Sequence, residues 1–86
     1  DSLNLLRLSY DLVKKQGYQL GNLDATIALQ QPKIKPFIDQ MCFRIAEAIG
    51  EPVEKISVKA TTTEKLGFVG KEEGIEAYAS VLIQAI

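Results

Sequence analysis

Three hydroxyls, a carboxylate and two glycines follow one another in a single stretch, and they are the residue types best suited to chemistry in this chain. The stretch comprises Thr61, Thr62, Thr63, Glu64, Gly67 and Gly70. Hydroxyls beside exposed backbone N–H groups can hold phosphate oxygens. An adjacent carboxylate can hold a divalent cation that bridges those phosphates. The stretch therefore suggests a diphosphate site with Mg²⁺ or Mn²⁺ on Glu64. The plainer alternative is a frayed strand end, a solvated Glu64 and a glycine turn.

Two further residues of the same stretch could contact a ligand. Phe68 lies between two glycines on a polar segment with little local packing, so a ligand or a neighbouring subunit is a natural partner for its ring. Lys71 opens a charged cluster. It could join phosphate binding, or it could simply be solvated.

A second candidate segment, residues 29–35, is rich in amide and ammonium groups. It comprises Leu29, Gln30, Gln31, Pro32, Lys33, Ile34 and Lys35. Its amides and backbone groups can read the edge of a base, and Lys33 can meet a phosphate. The alternative is a strand that ends at a proline and is followed by solvated lysines.

Composition excludes several classes of site. The chain has no histidine and one cysteine, so it cannot assemble the usual nitrogen and sulfur ligands of zinc or a histidine-based catalytic pair. We expect Cys42 to be a buried, inert thiol. Glu47, Glu51 and Glu54 are expected to be surface groups.

Size and charge set the class of protein. The 86 residues are 47% hydrophobic and 24% charged with a net charge of −1, which is typical of one globular domain and predicts no nucleic-acid binding. No apolar run approaches the ~20 residues that span a bilayer, so no membrane association is predicted. The start at Asp1 suggests a fragment, a processed product or a sequence lacking its beginning.

Hydrophobic periodicity predicts the elements that must position the two segments. Helices are predicted over 3–16, with Ser2 as cap, and over 34–49. Strands are predicted over 22–30 and 56–60. Residues 75–86 alternate like a strand but also fit a helical stripe, and we favour the strand.

The predicted fold class is α+β, in the order α-β-α-β-β, with a mixed sheet and helices on one face. Both candidate segments then follow strand ends, where open sheets usually place ligand sites. The last strand is apolar on both faces, which a small domain rarely covers alone. We therefore expect subunit association.

The motifs also carry a family resemblance. "KATTTEKLGFVG" followed by "EEGI" resembles the C-terminal signature of the 2-C-methyl-D-erythritol 2,4-cyclodiphosphate synthase family. The resemblance continues upstream through "QPK", "GYQLGNLDATI" and the leading "DS" helix. It covers residues 1–86, which would be the C-terminal part of a single synthase domain.

The resemblance implies an activity and a role for each matching position. The family forms a cyclic diphosphate and CMP from 4-diphosphocytidyl-2-C-methyl-D-erythritol 2-phosphate, in non-mevalonate isoprenoid biosynthesis. Residues 29–35 match its cytidine pocket. Residues 61–64 match its phosphate segment, with Glu64 as the Mg²⁺ or Mn²⁺ ligand and Thr62 as the catalytic transition-state stabiliser. Phe68 and Lys71 match further substrate-contacting positions.

The resemblance also implies an assembly and a missing part. The family is a homotrimer whose sheets surround the threefold axis. Its zinc ligands, an Asp-x-His pair and a further histidine, belong to an N-terminal portion that this sequence lacks, so this chain alone should be inactive. A bacterial cytoplasmic location is expected, with a plastid-type organelle as the alternative. The rival hypotheses are a non-catalytic nucleotide-binding or scaffold domain without the zinc half, and a small oligomeric sensor domain.

Overall fold

The computed structural model describes residues 1–30, 33–61 and 74–86. These residues form two helices and a three-stranded mixed sheet with strand order β2-β1-β3. The elements are α1 (Ser2–Lys15), β1 (Tyr18–Ala28), α2 (Ile38–Ile49), β2 (Ile56–Thr61) and β3 (Glu76–Ala85). β1 runs parallel to β2 and antiparallel to β3. The predicted α+β class and the order α-β-α-β-β are confirmed.

Helix α1 begins one residue earlier than predicted because Asp1 caps it. The Asp1 carboxylate accepts a hydrogen bond from the Asn4 N–H at 3.0 Å, which satisfies one of the unpaired donors of the first turn. The predicted Ser2 cap is therefore wrong, since Ser2 is the first helical residue. The helix ends before Gly17, whose φ of +91° favours glycine and turns the chain into β1.

Strand β1 begins at Tyr18, four residues before the predicted 22–30, and ends at Ala28, two residues before the predicted end. Gly21 interrupts the alternation of side chains along this strand. It forms a bulge that shifts the register with β3 between Leu20 and Asn22. A β-carbon at Gly21 would lie 3.2 Å from the carbonyl oxygen of Leu82, so a larger residue there would require β3 to shift by a few tenths of an ångström.

Helix α2 begins later than the predicted residue 34. Residues Lys35–Phe37 form a 3₁₀ turn with Pro36 in it, and the α-helix starts at Ile38. Gly50 ends the helix with φ +70°, in the left-handed conformation that allows the N–H of the next residue, Glu51, to reach the Ala46 carbonyl at 3.1 Å.

Both helices pack on one face of the sheet, which we call the helix face. A hydrophobic core lies between the layers, formed by Tyr10, Leu20, Cys42, Ala46, Ile49, Ile56 and Val58. Cys42 is buried there as predicted. Residues paired across the ladders share a face, so Leu23, Ala25 and Ile27 lie on the helix face with the buried side chains of β2.

The opposite face of the sheet, which we call the open face, has no layer over it in the described residues. It carries the alternate side chains of each strand, including Asp24 and Thr26 of β1, Lys59 of β2 and Tyr78 of β3. The Tyr78 hydroxyl donates to the Glu76 carboxylate, which raises the pKa of Tyr78.

Residues 76–85 form a strand, which confirms the interpretation favoured for the end of the chain. Its large side chains are exposed on both faces, with Tyr78 at 60% and Leu82 at 58% on the open face and Val81 at 54% on the helix face. Among the described residues, no helix is long and apolar enough to cross a membrane.

Candidate functional site

The two candidate segments meet at one edge of the sheet. β1 and β2 are parallel, so their carboxyl ends lie side by side, with Ala28 opposite Thr61 in the register. The backbone N–H of Leu29 donates to the Thr61 carbonyl oxygen at 3.1 Å. The start of the predicted base-binding segment is thus joined directly to the start of the predicted phosphate-binding segment.

A cavity of about 410 Å³ opens at this edge, between the strand ends and the first turn of α2. Its size lies within the range that binds small organic ligands. Its walls are Leu29, Lys33, Ile34, Lys35, Ile38, Val58, Lys59, Ala60 and Thr61. Apolar side chains from the core form part of the lining, and polar groups come from the ends of the segments.

Two lysines, Lys33 and Lys35, can give the cavity a positive charge, while the ammonium of the third lining lysine, Lys59, lies with Asp24 on the open face. Lys33 and Lys35 come from the segment before α2, and Lys59 comes from β2. Lys59 also lies 3.7 Å from the Asp24 carboxylate, with both side chains well exposed. These two charges cancel, so the positive charge of the site comes from Lys33 and Lys35. Such a cavity suits an anionic ligand with an apolar or aromatic part.

One buried polar atom belongs to the residue that follows Leu29 at this strand end. The amide oxygen of Gln30 is shielded from solvent and has no hydrogen-bond donor within the described part of the chain. A buried acceptor without a donor costs about 1–3 kcal/mol. Gln30 is therefore a candidate to accept a hydrogen bond from a bound ligand.

The structure brings together the predicted site residues that it describes. Leu29, Lys33, Ile34, Lys35 and Thr61 line the cavity, and Gln30 follows Leu29 in the chain. The remaining predicted positions lie outside the described residues. They are Gln31, Pro32, Thr62, Thr63, Glu64, Phe68 and Lys71.

Sequence reasoning missed Lys59 as a cavity residue, because its position on the polar side of β2 indicated only a solvated strand residue. A strand-end position beside the threonines was the signal available.

The predicted cation ligand Glu64 falls outside the described residues. Within the ranges that the structure covers, no three His, Cys, Asp or Glu side chains are grouped so that they could hold a metal.

At the other end of the sheet, a polar network ties the two helices to β1. The Tyr10 hydroxyl donates to a Glu51 carboxylate oxygen at 2.6 Å and accepts from the Leu20 N–H at 2.8 Å. The Lys55 ammonium donates to the other Glu51 oxygen at 2.9 Å and to the Leu20 carbonyl at 3.1 Å. The network therefore fixes α1 against the end of α2 and the beginning of β1.

This network corrects the prediction that Glu51 is a surface group. Its side chain is only 15% exposed, because the carboxylate is enclosed by Tyr10 and Lys55. The hydrogen bond from Tyr10, and then that from Lys55, hold the pKa of Glu51 below its usual value. Burial and the Glu51 carboxylate raise the pKa of Tyr10.

The fold and the site together define a class of protein, a two-layer α+β domain with a cationic cavity at the carboxyl ends of parallel strands. The model of the YgbB family matches residues 1–84, so the chain belongs to the YgbB family.

Relatives and solved structures agree with this membership. The chain is 56% identical over 86 residues to a Bacillus licheniformis protein named 2-C-methyl-D-erythritol 2,4-cyclodiphosphate synthase. The alignment covers all of this chain and 54% of that protein. A Porphyromonas gingivalis protein of the same name is 58% identical over 85 residues, covering 99% of this chain and 52% of that protein. The predicted family resemblance is confirmed.

Solved structures share the fold over nearly the whole chain. A bifunctional IspDF from Campylobacter jejuni superposes with a TM-score of 0.98 at 41% identity, covering 100% of this chain and 23% of that one. A Plasmodium falciparum IspF described as a CDP complex superposes with a TM-score of 0.93 at 33% identity. The match covers 99% of this chain and 55% of that one. The chain spans about half the length of the curated relatives that it matches.

Proposed function

We propose that this chain is the C-terminal part of a single 2-C-methyl-D-erythritol 2,4-cyclodiphosphate synthase domain. The observation that carries the proposal is the cationic cavity. Residues 29–35 meet the end of β2 there, where the threonines begin at Thr61. The name shared by relatives at more than 50% identity supports the same reading. A bacterial cytoplasmic location goes with it, and a plastid-type organelle is the alternative.

The proposed reaction is an intramolecular phosphoryl transfer. An oxygen of the substrate's 2-phosphate attacks the β-phosphorus of the cytidyl diphosphate. The bond from that phosphorus to the bridging oxygen breaks, and CMP leaves with the oxygen and its electron pair. Such a step needs positioning and charge neutralisation more than a covalent side chain. A chain without histidine can contribute both.

We assign the base and its ribose to residues 29–35. Lys33 and Lys35 line the cavity and would attract the diphosphate, while the backbone and amide groups of Gln30 and Gln31 would read the edge of the base. Pro32 and Ile34 would shape the pocket. The solved CDP complex of a relative supports a cytidine nucleotide as the ligand class.

We assign the phosphates to the residues that continue β2. Thr61 lies at the cavity wall, and Thr62 and Thr63 follow it directly. Thr62 would donate its hydroxyl to the oxygens that gain charge in the transition state. Phe68 and Lys71 would add contacts to the substrate.

Glu64 is the proposed Mg²⁺ or Mn²⁺ ligand. Mg²⁺ is normally bound by one or two carboxylates together with substrate phosphates, so one carboxylate three residues beyond the cavity wall fits such an ion. When bound, the ion would neutralise phosphate charge. The zinc of the complete family enzyme would need ligands outside this chain, which offers no histidine.

We also propose the homotrimer that the resemblance implies. The open face and β3 leave large apolar groups exposed, among them Tyr78, Leu82 and Ile86. Burying these groups against other copies around a threefold axis would remove that surface from water.

The test is CMP release by a longer protein. In it, this chain is joined to the part of the Bacillus licheniformis relative that lies outside the alignment with this chain. The assay contains zinc and Mg²⁺. Glu64→Ala should reduce turnover by at least about a hundredfold, and Thr62→Val by about tenfold to a hundredfold. Glu54→Ala, at an exposed position remote from the cavity, is the control and should keep normal turnover. Normal turnover in Glu64→Ala would argue against its metal role, and absence of CMP from the control protein would contradict the proposed activity.

A further inference from the structure

The outer side of helix α2 carries an exposed aromatic ring among polar side chains. Gln40, Phe43, Arg44 and Glu47 line an open depression of about 390 Å³ there. All four residues are exposed, and the Phe43 side chain is 61% exposed. They recur at steps of three and four residues, so they share one side of the helix. We call these four residues the α2 outer face.

The other side of α2 packs on the sheet. Its buried residues are Cys42, Ala46 and Ile49, which belong to the hydrophobic core. The α2 outer face therefore points away from the core, and none of the described elements covers it. An exposed aromatic ring in such a position indicates an interaction surface when its surroundings specify a partner.

The α2 outer face carries one charge of each sign. Arg44 and Glu47 are three residues apart, and in the described part of the chain no salt bridge joins either of them to another side chain. Both also border a crevice between α1 and α2, which Arg7 lines. A face with balanced charges does not attract a polyanion. It suits a partner that carries both signs at the same spacing.

We propose that the α2 outer face binds the same face of a second copy of this chain. The two α2 helices would lie antiparallel, about a twofold axis that passes between residues 43 and 44. A twofold contact requires a surface that is complementary to itself. In this arrangement, positions at equal distances on either side of the axis lie beside each other in the two copies.

The arrangement gives every side chain of the face a suitable neighbour. Gln40 lies beside Glu47 of the second copy, whose carboxylate can accept a hydrogen bond from the amide. Phe43 lies beside Arg44 of the second copy, whose guanidinium can stack on the ring. Each of these contacts occurs twice because of the twofold symmetry.

The two ends of α2 fit the same arrangement. Phe37, which precedes the helix and is 56% exposed, lies beside Gly50 of the second copy. No atom of the described residues lies within 4 Å of a β-carbon built at Gly50, so an aromatic ring has room there. The 12 residues of α2 extend about 18 Å. The contact is therefore small, and we expect a transient dimer.

The test compares substitutions at Gln40 in the 86-residue chain. Gln40→Lys places an ammonium beside Glu47 of the second copy, and Gln40→Glu places a carboxylate there. Gln16→Lys and Gln16→Glu make the same changes of net charge at an exposed position just after α1, and they are the matched controls. Sedimentation equilibrium between about 10 μM and about 1 mM chain measures the dissociation constant of the dimer.

Gln40→Lys should lower this dissociation constant at least about fivefold, and Gln40→Glu should raise it at least about fivefold. Each Gln16 variant should change it by less than about twofold, because salt screens distant charges. Within a single helix the order is reversed, since Gln40→Glu attracts Arg44 one turn later and Gln40→Lys repels it. An effect on helix stability alone therefore cannot produce the expected result.

A chain whose mass does not change up to about 1 mM would overturn the proposal. So would Gln40 variants that match their Gln16 controls, or that change the dissociation constant in the reverse order. The contact does not involve the open face, so a homotrimer formed there would respond equally to the variants at both positions. The result is also independent of CMP release, and failure of the proposed activity would leave it intact.

Discussion

The Leu29 N–H donates to the Thr61 carbonyl oxygen at 3.1 Å, at the point where two parallel strands end. This hydrogen bond joins two segments that are more than thirty residues apart in the sequence. It holds Leu29, the first residue of one segment, beside Thr61, the first residue of the other. The meeting of the two segments is therefore a consequence of the β1–β2 register.

Lys33→Met should weaken binding of CDP about tenfold, because it removes a charge that faces the cavity and can pair with phosphate. The loss should diminish at high salt, which screens exposed charges. Lys15→Met, at an exposed position on the last turn of α1, is the control and should bind CDP normally. Titration calorimetry at low and high salt measures both. Equal affinities for the two variants would contradict the role of Lys33.

The Gln30→Met substitution tests whether the Gln30 amide oxygen contacts the ligand or supports the fold. The buried Gln30 amide oxygen has no donor in the described residues, so replacing it by an apolar group of similar size should leave the free energy of unfolding unchanged or slightly higher. CDP affinity should fall by about fivefold to tenfold, because a donor on the bound ligand would lose the Gln30 amide oxygen as its acceptor. A large loss of stability in urea unfolding would show that Gln30 supports the fold instead.

Tyr10→Phe should lower the free energy of unfolding by about 1–3 kcal/mol. The substitution leaves the buried Leu20 N–H without its acceptor and the Glu51 carboxylate without one of its donors. Tyr18→Phe removes the same hydroxyl from an exposed tyrosine of β1 and should change stability by less than about 0.5 kcal/mol. Urea unfolding of both variants measures the difference. Equal losses would mean that the network adds nothing to stability.

The Glu51 network also predicts a pH dependence. Because the folded state lowers the pKa of Glu51 from 4.5, its contribution is complete above pH 4.5 and is lost as the pH falls through the lowered value. The wild-type chain should therefore exceed Glu51→Gln in stability by a constant amount near neutral pH. That excess should shrink as the pH falls below 4.5. Urea unfolding of both proteins across this range measures it, and an excess that grows toward acid would have the wrong sign.

Much of the fold could be predicted because its signals are local. Period-3.6 rows in α1 and α2 and the alternation in β2 each reflect a single buried face. The start of β1 lies four residues before the predicted residue 22, because the strand continues through the bulge at Gly21. At that bulge β1 lies close to Leu82, from the far end of the chain.

The candidate site was predicted in outline for a similar reason. Residues 29–35 and 61 stood out by type at two strand ends, and parallel pairing then brought them together. Glu51 was misread as a surface group because its partner Tyr10 is 41 residues away. Sequence spacing gives no sign of such a contact, and only packing of α1 beside α2 creates it.

The most direct test of a cytidine diphosphate site at this edge is a titration of the ¹⁵N-labelled chain with CDP, followed by amide chemical shifts. We expect the largest shifts at Leu29, Lys33, Ile34 and Thr61, which line the cavity, and much smaller shifts with UDP at the same concentration. Equal responses to CDP and UDP, or shifts concentrated at the crevice beside Arg7 and Arg44, would contradict it.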